Sequence, residues 1–181
     1  MNIVEQNGLR YIDTQEGEST LVLLHGLFGA LSNFKEVIEH FSKTRRVVFP
    51  LLPLYDLPLK DTTVIGMQNY VLKVMDHLAI DRADILGNSL GGHVALLIAI
   101  HQHERIHRLI LTGSSGLFEN SLGDGYPNKE SYDYVKKKTE YTFYDPQMAT
   151  KDLVDEVYEV VNNRGKAIRI ITMAKSAVRN N

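Results

Sequence analysis

One serine in this chain is set apart by its neighbours. Ser89 lies in L-G-N-S-L-G-G, with Gly87 two residues before it and Gly91 two residues after. A hydroxyl serves as a nucleophile when the backbone lifts it clear of its surroundings and a base can take its proton. A strand turning sharply into a helix does the lifting, and small residues at 87 and 91 let the two elements close on each other. That helix would also offer unpaired N–H groups and a positive dipole end. An oxyanion formed beside Ser89 would then meet the N–H of Leu90. The competing expectation is an ordinary glycine-rich turn whose serine only caps the helix.

Acyl chemistry needs a second donor, since losing one costs about 3–4 kcal/mol of barrier. The run H-G-L-F-G, His25 to Gly29, ends an earlier apolar stretch and can lend the backbone N–H of Leu27. His25 and Gly26 are expected to shape that loop, as Gly87, Asn88 and Gly91 shape the serine turn. A plain strand-ending turn is the other reading of H-G-L-F-G.

Remaining candidates read as structural. His93 stands four residues past Ser89, one helical turn below the tip, so its expected role is packing or capping rather than general base. His101 and His103 are two apart and face different directions on a helix. With His107 they sit where a helix dipole already favours histidine, and no metal site is expected. Ser114 and Ser115 read as a turn that could border a pocket, and Lys136–Lys138 as a solvated helix face. No cofactor is implied.

The elements that must position these residues follow from periodicity. LRYID (9–13), TLVLLHG (20–26), RRVVFP (45–50), ADILG (83–87) and RLILTG (108–113) read as strands. Between them, Phe34, Val37, Ile38 and Phe41 form one helical face, which Ser32 or Asn33 can cap. A second helix from about Thr62 carries Val64, Met67, Val71, Val74 and Leu78, and a third runs from Leu90 to about His103. The alternation predicts an α/β fold, a mostly parallel sheet with helices on both faces. LLPLYDLPLKD, with two prolines, is a loop. After residue 116 the texture changes: no strand is evident, and SYDYVKKK, KDLVDEVYEVVNN and KAIRIITMAKSAV read as helices. The predicted division is residues 1–116 for the α/β core and 117–181 for a helical segment.

Composition bounds the rest. The 181 residues, 44% hydrophobic, suit one domain with a sizeable core. A net charge of -2 gives no ground for nucleic acid or an acidic membrane as partner. With no cysteine there are no disulfides and no thiol chemistry. The first twenty residues lack a signal-peptide pattern, and no apolar run is long enough to span a bilayer. A soluble, cytoplasmic protein acting on a small molecule is expected.

L-L-H-G-L-F-G, G-N-S-L-G-G-H-V-A and L-I-L-T-G-S-S-G together resemble the α/β-hydrolase superfamily, most closely its lidded esterase and carbon–carbon-bond hydrolase branches. The resemblance runs from about residue 9 to 116 by motif and implies that 117–181 is a helical lid. It makes Ser89 the nucleophile and the backbones of Leu27 and Leu90 the oxyanion hole. The implied activity is hydrolysis of an ester, thioester or related carbonyl compound through an acyl-enzyme. Alternatives are carbon–carbon-bond hydrolysis and a non-catalytic ligand-binding protein. Dehalogenases and epoxide hydrolases place aspartate where Ser89 stands. LLPLYDLPLKD lacks a glycine that many relatives carry there.

The family's chain order is serine, acid, histidine, the last two on loops after later strands. Here the last histidine is His107, and Asp124, Asp133, Asp145, Asp152 and Asp155 fall in the helical segment. The core is therefore expected to be incomplete, with the triad acid and histidine missing and this chain alone nearly inert. Truncation, loss of catalysis, and nicking in the lid with the C-terminal portion as a separate chain all account for this. MAKSAVRNN, read as an exposed polar loop, favours nicking.

Overall fold

Short runs of leucine, valine and isoleucine alternate with amphipathic stretches, and the chain pairs the former into one sheet. A computed structural model describes residues 2–28, 30–117 and 126–180. Strands β1 (Val4–Gln6) and β2 (Leu9–Asp13) form a hairpin through Asn7 and Gly8, both at positive φ, as a two-residue turn requires. Strands β3 (Thr20–Leu24), β4 (Arg46–Pro50), β5 (Ala83–Asn88) and β6 (Ile106–Thr112) complete an order β1-β2-β4-β3-β5-β6. The last four are mutually parallel, while β1 and β2 run antiparallel. The fold is thus the mostly parallel sheet expected, with β1 added.

Helix α1 (Ala30–Phe41) covers one face, where Phe34 and Ile38 pack against Ile12, Leu21, Leu23, Val47 and Phe49. Helices α2 (Val64–His77) and α3 (Leu90–His101) cover the other. Thr63 caps α2 by accepting from the Gly66 N–H at 2.9 Å. Ser32 and Asn33 do not cap α1. The helix begins at Ala30, because its apolar stripe extends one turn further, to Leu31.

Beyond residue 117, α4 (Tyr132–Glu140), α5 (Lys151–Asn162) and α6 (Arg164–Arg179) are the only regular elements among the described residues apart from one short 3-10 turn. Val135 of α4 and Leu153, Val157 and Val161 of α5 make their own apolar cluster, which Phe28 joins from the β3–α1 turn. Helix α6 instead returns to the sheet domain. Met173 is buried in its core, and the Val64 N–H donates to Ser176 Oγ at 3.1 Å. MAKSAVR is therefore helix and not an exposed loop; Met173 and Ala177, four apart, turn the same face to the core. No helix among the described residues is long and apolar enough to cross a membrane.

Candidate active site

The turn after β3 and the turn after β5 lie side by side because their strands are parallel neighbours, Leu24 in register with Gly87. From β3 the chain moves to β4 on one side, then crosses to β5 on the other, so the strand order reverses here. A crevice opens at such a switch point.

Ser89 sits at φ 52° and ψ −118° between β5 and α3. A non-glycine residue there carries strain of about 1–3 kcal/mol, held by its surroundings. Those surroundings are explicit. The Ser89 N–H donates to Thr112 O at 3.2 Å, and its carbonyl accepts from Gly92, His93 and Ser115 N–H at 3.0, 3.2 and 3.2 Å. Asn88 Nδ2 donates to Thr112 O at 2.9 Å, fixing the turn to the end of β6. A Cβ on Gly87 would stand 2.6 Å from Gly92 Cα, and one on Gly91 2.7 Å from His25 O. The glycine spacing is thus a packing requirement between β5, α3 and the end of β3. Ser89 occupies the position before α3 but makes no side-chain hydrogen bond to it; the capping alternative does not describe this geometry.

Ser89 is half-buried and borders a cavity of about 540 Å³. Gly26, Leu27, Phe28, Asn88 and Gly113 line it from the sheet side, with Asn33 from α1. Tyr126, Thr139, Thr142, Phe143, Leu153 and Val157 close it from the helical side. Among the described residues no His, Lys, Arg, Asp or Glu side chain lines it. Neither the Leu27 nor the Leu90 N–H has an acceptor among the described residues. Gly26 abuts the serine: a Cβ there would lie 3.3 Å from Ser89 Cβ. Gly29 and Asp124 lie outside the described residues.

His25 is buried beneath this turn. Its Nδ1–H donates to Gly26 O at 2.7 Å and its Nε2 accepts from the Leu52 N–H at 2.9 Å, so both nitrogens are used by a neutral ring. Burial pushes its pKa down to about 4, with the Gly26 carbonyl working the other way. Its role in this geometry is to hold the loop.

The other histidines diverge. The His93 ring is buried behind the elbow, with Nε2 3.1 Å from Asn180 O and Nδ1 without a partner among the described residues, and it does not border the cavity. His101 meets Gln68 at 3.1 Å, His107 meets Asp84 at 2.9 Å, and His103 is exposed beside Glu104. No group of three or more metal-binding side chains occurs among the described residues. Ser114 and Ser115 do not line the cavity. Ser115 braces Ser89, a function that turn composition does not reveal. Asn33, Tyr126, Thr139, Thr142 and Phe143 join the lining without having been expected there. For Asn33, its place at the fourth residue of α1, on the turn facing the crevice, is the available signal.

A family profile described as alpha/beta hydrolase fold matches residues 19–143. A 2-hydroxy-6-oxo-2,4-heptadienoate hydrolase of Pseudomonas putida is 29% identical over 157 residues, covering 80% of this chain and 56% of that protein. The chain spans about half the length of such curated relatives. Among solved structures, an α/β hydrolase enzyme from the metagenome of lagoon sediments at Mar Chica, Morocco, is 35% identical with TM-score 0.76, covering 100% of this chain and 68% of that one. A meta-cleavage product hydrolase is 25% identical with TM-score 0.76, covering 95% and 68% respectively.

Proposed function

The chain belongs to the α/β-hydrolase fold family, and from that premise we propose that Ser89 is the nucleophile of a hydrolase acting on a small carbonyl compound. The observation that carries this is a half-buried serine at positive φ, uncommitted to its helix and bordering a cavity that Leu27 also lines, with no acceptor for the Leu27 or Leu90 N–H among the described residues. Ser89 Oγ attacks the carbonyl carbon, and the oxygen takes the charge, stabilised by the Leu27 and Leu90 N–H groups. Collapse of this intermediate forms the acyl-enzyme, and the leaving group departs with the serine's proton. Water then releases the acid. Helices α4 and α5 act as the lid, with α6 anchoring it to α2.

The bond broken is an ester, a thioester or a carbon–carbon bond beside a ketone. The names of the relatives favour the last: 2-hydroxy-6-oxo-2,4-heptadienoate holds no ester or amide, so its hydrolysis must cleave a bond between carbons. The cavity favours an uncharged, largely apolar group beside the reacting carbonyl, because its described lining holds no cation to meet a carboxylate.

The base is the missing component. Both His25 nitrogens are bonded and no histidine lines the cavity among the described residues, so a histidine and its acid would come from a further segment of polypeptide, covalently continuous or separate. Strand β6 pairs only with β5 among the described residues, and its free edge is where that segment would add strands. In the protein completed by that segment, Ser89→Ala should lower kcat on aryl esters or vinylogous ketones by a factor on the order of 10⁶. Unchanged turnover would refute the assignment.

A further inference from the structure

Phe28 belongs to two structures at once. It lines the cavity beside Ser89, and it packs into the apolar cluster that joins α4 to α5. Every other member of that cluster among the described residues lies beyond residue 117. Tyr126, Phe143, Leu153 and Val157 share both memberships, so the helical wall of the cavity rests on this ring from the sheet side. The ring's backbone is tied at two successive peptides. Tyr55 Oη donates to Leu27 O at 3.2 Å, and that carbonyl shares its peptide plane with the Phe28 N–H. The preceding plane is held through Gly26 O, which accepts from His25 Nδ1–H at 2.7 Å. Tyr55 keeps its proton, since burial, and then the Glu156 and Glu159 carboxylates, push its pKa up.

We infer that Phe28 is the specificity-determining residue of this cavity, the side chain that limits the size of the group carried on the reacting carbonyl. The inference rests on the reading of the cavity as the substrate site. A Cβ on Gly26 would lie 3.3 Å from Ser89 Cβ, and two residues of chain span at most about 7 Å. The Phe28 ring therefore borders the space that a substituent on a serine-bound carbonyl must enter. An apolar wall rejects a bulky ligand by collision, and only as far as the wall cannot retreat. Helices α4 and α5, joined by a few apolar side chains, can give way; a ring on a doubly tied backbone yields less. One methylene at such a wall is worth about tenfold or more in preference between two ligands. Phe28 thus sets the size limit, while the lid residues around it shape the rest of the space.

Acetophenone and 2-acetylnaphthalene are the probes, uncharged ketones that differ only in bulk and need no catalytic base to bind. Each is titrated against the 181-residue chain while the Leu27 and Leu153 amide resonances are followed. The ratio of naphthyl to phenyl affinity should rise about tenfold in Phe28→Ala and fall in Phe28→Trp. Phe28→Leu keeps an apolar contact with the lid and should raise the ratio by less, about threefold. It carries the test if the alanine variant does not fold. Val161→Ala is the control, because Val161 belongs to the same cluster but does not line the cavity. Hydrogen exchange in α5 should quicken in both Val161→Ala and Phe28→Ala, yet only the latter should change the ratio. Ketone shifts at the cavity with the same ratio in wild type and Phe28→Leu overturn the inference alone. An equal rise in Val161→Ala also overturns it, since any loosening of the lid would then suffice. Ketone shifts that miss the cavity in the wild type overturn the active-site reading, and the inference with it.

Discussion

The elbow at Ser89 and the helices that face it across the cavity are built on opposite terms. Around the elbow, backbone meets backbone: Gly87 and Gly91 pass so close to Gly92 and His25 that one added methyl would collide, and four backbone–backbone hydrogen bonds clamp the serine's own peptide groups. Across the cavity, α4 and α5 hold together through a few valines and a leucine, with Phe28 reaching over from the β3–α1 turn. A site that must hold charge at a fixed point needs the first kind of construction. A wall that must admit and shape different molecules can be the second kind.

That contrast can be broken from either side. The largest effect is expected at Gly91→Ala, where the new methyl meets fixed backbone; about 3 kcal/mol should be lost, read by denaturant unfolding. A small loss would mean the elbow yields more than its contacts imply. Next comes Leu153→Ala, which opens the α4–α5 cluster and should cost about 2–3 kcal/mol locally. Hydrogen exchange should then quicken in α4 and α5 while β3 and β5 stay protected. If the sheet loosened equally, the two regions would be one cooperative unit.

The third prediction concerns the elbow's neighbour His25. Its folded pKa, about 4, lies below the ordinary 6.5, so the unfolded chain binds the proton first as pH falls. The stability it contributes is full above about pH 6.5 and is lost progressively toward pH 4. Between about pH 7 and pH 5 this should amount to about 2 kcal/mol, and His25→Gln should flatten the dependence. Asp13 and Asp84 do not confuse the test. Each feels burial pushing its pKa up, but Arg46 for Asp13, and Arg45 with His107 for Asp84, pull it below 3.8, and their losses come at lower pH. The smallest effect is expected at Lys151→Ala. The lysine pairs with Asp155 on an exposed helix face, and no change in melting temperature should be measurable.

The same contrast explains what can be read from sequence. The elbow is legible because its cause is local: five consecutive residues carry the steric requirement, and the strand and helix around them have clear periods. The start of α1 is misplaced at Ser32 or Asn33, because cap-forming residues inside a helix look like starts. Strand β1 escapes notice although Asn7-Gly8 announces a hairpin, its three residues being too few to show a period. The cavity wall is not legible at all. Tyr126, Thr139 and Phe143 reach the serine's cavity through packing of segments distant in the chain, and nothing in their own neighbourhoods marks them. Tyr55 is hidden for the same reason, since its partner Leu27 is 28 residues distant.

The central claim is that Ser89 forms the covalent bond. The direct measurement is intact-mass analysis after exposure to an aryl phosphonate, followed by peptide mapping, on the protein completed by the further segment proposed to carry the base. A single adduct on Ser89, absent in Ser89→Ala, is the result expected. Turnover of an ester or ketone substrate with Ser89 unmodified by phosphonate, or an adduct on another residue, would contradict it.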